Sequence, residues 1–188
     1  MNLILASASP RRKELLSLFH IPFIIRVADI DETMDPGKAP YDEVARVSQR
    51  KAAAVPCGED DIVIAADTIV VCEGRVLGKP HDENEARSML ELLSGRDHQV
   101  MTGCTIVRGN RSETFTEVTD LHFRPLSCTE IDRYIRSGEP MDKAGSYGIQ
   151  GGAALFCQRL EGDYYNVMGL PVCHLGEVLR KIAPELFL

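Results

Sequence analysis

The chain has no C-x-x-C pair, no basic segment ahead of its apolar start, and no apolar run near the ~20 residues that a membrane-spanning helix needs. Its six cysteines, Cys57, Cys72, Cys104, Cys128, Cys157 and Cys173, are scattered. That usage reads as reduced thiols in a cytoplasmic protein, not as a disulfide framework or a zinc site. The opening Met1–Ser7 reads as a first strand and not as a signal peptide. Positive charge is also short, with 21 Lys+Arg against 28 Asp+Glu and a formal net charge of −7. An acidic surface repels polynucleotide backbones and anionic lipid, which argues against nucleic-acid polymers and membranes as partners. Low-complexity tracts and internal repeats are absent, and 44% of the 188 residues are apolar, enough for a packed core.

Strand-like and helix-like patterns alternate along the chain. Short apolar runs at Leu3–Ala6, Phe23–Val27 and Ile62–Ala66 predict buried strands, and Ile69–Cys72 with Arg75–Leu77 predicts a hairpin across Glu73-Gly74. Two long strands, Gln99–Arg108 and Arg111–Phe123, meet at Gly109-Asn110, and a further strand is predicted at Ala153–Cys157. Helices are expected over Pro10–Phe19, Tyr41–Ala54, Glu83–Leu93, Ser127–Ser137 and Pro171–Ile182. The third has Ala86, Met89, Leu90 and Leu93 on one face, and the fourth opens on a Ser127-x-x-Glu130 capping box. The order predicts α/β with a mixed, twisted sheet and flanking helices.

Four stretches carry possible chemistry. In Ser7-Ala8-Ser9-Pro10-Arg11-Arg12, Ser9 suits an N-cap and Pro10 the first helical position. The helix dipole disfavours Arg11 and Arg12 in that first turn by ~0.3–1 kcal/mol each. A bound phosphate would explain them, though a solvated cap with incidental arginines is the plainer alternative. Asp29-Ile30-Asp31-Glu32-Thr33 is either a solvated acidic loop or a D-x-D-x-T nucleophile of the haloacid-dehalogenase-like phosphatase kind, with Asp29 attacking. Ile62 to Thr68 is expected to end an apolar strand in Asp67, where a carboxylate can hold a metal, deprotonate water, or simply start a turn. Lys79, twelve residues on, can contact phosphate or form a salt bridge.

The fourth stretch is Asp142 to Gly152. Its glycines allow close backbone approach, with Lys143 for charge, Tyr147 for stacking and Gln150 for hydrogen bonding to a base edge. A surface loop is the alternative. The standard nucleotide fingerprints, HExxH and G-x-S-x-G are all absent. The histidines show no metal-ligand spacing and read as structural or exposed.

Taken in order, these blocks resemble the Maf family of nucleoside triphosphate pyrophosphatases. The resemblance runs from Leu3 to beyond Pro171. It is carried by Ser7-x-Ser9-Pro10-Arg11-Arg12, Asp31-Glu32, Ala66-Asp67-Thr68, Gly78-Lys79-Pro80, Ser94-Gly95-Arg96, Lys143 to Gly151, and Gly162-Asp163-Tyr164 through Pro171. It implies an inosine triphosphate pyrophosphatase-like α/β fold, one catalytic domain over 1–188 with two lobes around a cleft, and a homodimer. It also implies hydrolysis between the α and β phosphates with a divalent cation, Mg²⁺ or Mn²⁺. Ser7, Arg11 and Arg12 would then line the phosphate end. Glu32 and Asp67 would be the acidic, metal-holding pair with Asp67 as proton acceptor, and Lys51 and Lys79 would complete the cationic side. Arg12, Thr68 and Gln150 resemble the subgroup acting on dTTP and UTP. The sibling subgroup acting on 7-methyl-GTP and a nucleotide-binding division regulator stand as alternatives, beside the dehalogenase-like phosphatase.

Overall fold

A computed structural model describes residues Met1–Phe187. Among them, β1 (Leu3–Leu5), β2 (Phe23–Ile25), β3 (Ile62–Cys72), β4 (Arg75–Leu77), β5 (Asp97–Arg108), β6 (Arg111–Phe123) and β7 (Cys157–Glu161) form one seven-stranded mixed sheet. The strand order is β2-β1-β3-β5-β6-β7, with β4 also paired to β3. β1 is parallel to both β2 and β3, whereas β3–β4 and β6–β7 are antiparallel. The mixed α/β architecture is the one the sequence predicts.

The chain divides into two compact units, one comprising 1–67, 102–117 and 169–188 and the other 68–101 and 118–168. Strands β3, β5 and β6 contribute residues to both. The first unit holds β1, β2 and helices α1 (Pro10–Ser17), α2 (Pro40–Ala54) and α6 (Val172–Ile182). α1 starts where expected, because the Ser9 side chain accepts from Arg12 N–H (3.4 Å) and Pro10 needs no intrahelical partner. Along α2, Val44, Val47, Ser48 and Ala52 are buried, the spacing of one helical face. That face lies so close to β5 that a Cβ on Gly103 would stand 2.4 Å from the Val44 carbonyl oxygen. Glycine is required there for space.

The second unit holds β4, β7 and helices α3 (Glu83–Leu93), α4 (Cys128–Arg136) and α5 (Tyr164–Met168). α3 buries Ala86, Met89, Leu90 and Leu93, as predicted, and Asp82 caps it through Glu85 N–H (2.8 Å). Each buried leucine contributes ~2 kcal/mol. The Ser127–Glu130 capping box opens α4.

Two expectations are corrected. Ile62–Cys72 is one continuous strand, because the β-branched run Thr68-Ile69-Val70-Val71 keeps it extended and its end pairs with β4. Asp67 therefore sits inside a strand and not at its carboxyl end. The strand predicted at Ala153–Cys157 lies instead at Cys157–Glu161. Gly152–Leu155 forms a 3₁₀ turn, and its small Gly and Ala residues give a strand little side chain to pack. The short α5 and the 3₁₀ turn at Pro184–Phe187 were not predicted.

Candidate active site

In the first unit the structure gathers the acidic and basic candidates. Lys51 lies in the last turn of α2, four residues beyond Val47, so its helical position turns it toward the buried face. Its Nζ is 2.7 Å from Asp67 Oδ1 and 3.0 Å from Glu32 Oε1. The Lys51 and Asp67 side chains are 14% and 12% exposed, whereas Glu32 is 58% exposed. One ammonium thus bridges a sheltered carboxylate and an open one.

Glu32 is delivered by the acidic loop, which α2 ties down. Arg46 donates to the Thr33 carbonyl (2.9 Å), and Arg50 lies 3.7 Å from Asp31. Asp31 accepts from Thr33 N–H (2.9 Å); hydrogen bonding from Thr33, then the Arg50 charge, holds its carboxyl below the usual range. Arg46 also pairs with buried Glu43, and that contact, with the Asp35 N–H, lowers the Glu43 pKa to about 2. Asp29 is exposed.

The Ser7–Arg12 segment adjoins this cluster, since Ala6 N–H donates to Ile64 C=O (2.8 Å) and runs the end of β1 alongside β3. Arg12 Nε donates to the Gly169 carbonyl (2.8 Å) and Nη1 to Ser7 Oγ (3.3 Å). Burial pulls the Arg12 pKa down, while the Asp67 charge pushes it back up. Arg11 is half-buried. Arg12 is thus partly explained by internal contacts, which also aim it.

The other candidates lie in the second unit. Thr68 is half-buried, and Lys79 and Gln150 are exposed. Two readings of the glycine-dense stretch are corrected. Tyr147 offers no face for stacking: it is buried, 2.9 Å from His98 Nε2 through its hydroxyl, and edge-on to Phe123 (4.8 Å). Lys143 is engaged internally, donating to the Glu139 carbonyl (2.7 Å) and to Asp142 Oδ1 (2.6 Å). Tyr134 and Glu139, which also hold this stretch, were missed, because hydrophobic period and turn chemistry say nothing about which carboxylate a glycine loop encloses. All six cysteines are free. Burial pushes the Cys104 thiol up to about 12, so it is no thiolate nucleophile.

Among the described residues no group of three or more His, Cys, Asp or Glu side chains stands together as a metal cage. A pair of carboxylates such as Glu32 and Asp67 nevertheless fits Mg²⁺ or Mn²⁺, which take one or two carboxylates and fill the remaining positions with water and substrate phosphate. No helix among the described residues is long and apolar enough to cross a membrane.

Comparison with known proteins bears on the fold and the family. A HAM1 protein from Coxiella burnetii shares the fold, with a TM-score of 0.53 at 17% identity over 96% of this chain and 99% of that one. Two Bacillus cereus proteins named dTTP/UTP pyrophosphatase, from strains G9842 and B4264, are 50% and 49% identical over 181 residues, spanning 96% of this chain and 95% of each relative. The family model described as "Maf-like protein" matches residues 2–182, and with relatives this similar over nearly the whole length, the chain belongs to the Maf family.

Proposed function

We propose that this protein hydrolyses dTTP and UTP, and modified pyrimidine triphosphates, to the monophosphate and pyrophosphate, clearing them from the nucleotide pool. The observation that carries the chemistry is the Lys51 ammonium held between Asp67 and Glu32 (2.7 and 3.0 Å), beside the Ser7–Arg12 helix start. The substrate follows from the names of relatives about half identical to this chain.

A triphosphate brings roughly four negative charges, and its hydrolysis depends mainly on positioning and charge stabilisation. Ser7, Arg11 and Arg12 bind the phosphates at the first turn of α1, where the helix dipole favours an anion. Arg12 arrives pre-oriented by Gly169 and Ser7. Asp67 accepts the proton of the water that attacks the α-phosphorus, as the bond to the β-phosphate oxygen breaks and pyrophosphate leaves. Lys51 orients Asp67 and supplies positive charge, and Lys79 adds a second cation. Thr68 and Gln150 contact the nucleoside. Glu32 and Asp67 would hold Mg²⁺ or Mn²⁺, which when bound would neutralise phosphate charge. A cytoplasmic homodimer is part of the same proposal, the scattered free cysteines supporting the compartment and the family resemblance the dimer.

Incubation with a nucleotide panel and Mg²⁺ or Mn²⁺, followed by ³¹P NMR, tests this. UTP and dTTP should give monophosphate and pyrophosphate. Orthophosphate released from the γ position would refute the chemistry. Preference for 7-methyl-GTP would refute the substrate while sparing the reaction.

A further inference from the structure

Gln150 is exposed within a turn closed by the hydrogen bond from Gly151 N–H to Gly148 C=O (3.0 Å). Both flanks of that turn are tied to the same two side chains. Gly148 N–H donates to Tyr134 Oη (3.0 Å), and Gly152 N–H donates to Glu139 Oε2 (3.0 Å). Tyr134 Oη donates in turn to Glu139 Oε1 (2.9 Å). Between these anchors Gly151 presses so closely that a Cβ would lie 1.9 Å from Glu139 Oε1. Tyr134 itself is buried and packs edge-on to Phe156 at 5.1 Å between centroids.

A glycine-dense turn left to itself would sample many conformations, because glycine has the most backbone freedom to lose. Here the glycines serve close approach to a carboxylate, and the carboxylate with its tyrosine supplies the rigidity. Gln150 is the one exposed amide that the clamp brackets, two residues from one anchor and two from the other.

We propose that Tyr134 and Glu139 are positioning residues for base recognition: they clamp the turn carrying Gln150 and so fix which edge of a pyrimidine its amide meets. The inference rests on the reading of Gln150 as a base contact. A glutamine amide offers one acceptor and two donors. Uracil and thymine present a carbonyl acceptor and an N–H donor, whereas cytosine presents an amino donor and a ring-nitrogen acceptor in the same places. An amide free to swing can satisfy either pattern. Only a fixed one rejects the wrong base, by leaving polar groups unpaired.

The test is kcat/KM for UTP and CTP in wild type, Tyr134→Phe, Glu139→Gln, Gln150→Ala and the double variant Tyr134→Phe/Gln150→Ala. Tyr134→Phe keeps the ring packing and removes only the hydroxyl, and Glu139→Gln attacks the clamp independently at constant size. Each should lower the UTP:CTP ratio about fivefold or more, and Gln150→Ala at least as far, since unpaired polar groups carry such discrimination. Adding Tyr134→Phe to Gln150→Ala should change the ratio less than about twofold, because groups acting through one residue are not additive. Equal losses for both nucleotides, or full additivity in the double variant, would overturn the proposal. A wild type that does not favour UTP over CTP would refute the specificity reading beneath it. A wild-type preference left intact in both clamp variants would refute the clamp alone.

Discussion

Replacing Lys51 with methionine removes the ammonium while keeping most of the stem. With an effective dielectric of ~20, each contact at about 3 Å represents roughly 5–6 kcal/mol of gross attraction. Most of this is offset by desolvation, and Glu32 is 58% exposed, so its share falls in the range of roughly 0–1 kcal/mol measured for surface pairs. Asp67 is 12% exposed, and stranding a sheltered charge costs more, up to ~3–5 kcal/mol when fully buried. The expected net loss at pH 7 is about 2 kcal/mol, a fall in Tm of about 4–8 °C for a chain of this size. Lys51→Met should also lower kcat/KM for UTP about 100-fold, because a donor aimed at developing charge is lost. The assay is thermal unfolding at pH 7 of wild type, Lys51→Met, Asp67→Asn and the double variant. With Asp67 replaced by a neutral amide, removing the ammonium should cost less than about 1 kcal/mol, because the sheltered charge it would strand is gone. An equal cost in both backgrounds would show that the lost term is packing of the lysine stem, and would refute the electrostatic argument.

Asp67→Asn should reduce turnover at least about 100-fold while equilibrium dialysis still detects nucleotide binding, since proton transfer is lost and the phosphate cradle remains; retained turnover would remove Asp67 from the mechanism. Gly103→Ala should destabilise the protein by about 2–3 kcal/mol in urea unfolding, because its Cβ would meet the Val44 carbonyl at 2.4 Å and backbone must move; an unchanged midpoint would refute that contact. Burial pushes the pKa of His98 down to about 4, so its neutral form is favoured by folding. Stability from this residue is complete above about pH 6.5 and is lost as pH falls toward 4, by about 3 kcal/mol in all. Urea unfolding from pH 7 to 4.5 checks the slope, and a ring titrating near 6.5 by NMR would refute it.

Legibility differed by feature. α3 and the Ser127 cap were readable because both are local: apolar spacing and a side chain reaching its own helix start need nothing distant. The Ser9–Pro10 start of α1 was readable for the same reason. Asp67 was misplaced at a strand end because a polar residue after an apolar run resembles a terminus. The hairpin with β4 that follows is local and legible, but no local pattern shows that the strand before it and the strand of the hairpin are one, running through Asp67 and Thr68 without a break. Tyr147 looked like a base-stacking ring on composition and proved to be core, since burial depends on the whole packing arrangement around it.

By itself the sequence determined the helix starts, the α/β alternation and the residue types of the site, all set by interactions within a few residues of the chain. Its net charge of −7 argued against polyanion partners while hiding a local cluster that suits an anionic substrate. Only the tertiary structure decided that Lys51 stands between Glu32 and Asp67, that Arg12 is aimed by Gly169, and that the glycines of the 143–152 stretch enclose Glu139. Those pairings join residues 16 to 157 positions apart, or turn on which side chain fills a loop. Such contacts follow from strand register and packing, where burial and Coulomb energy are shared among elements that no local pattern connects.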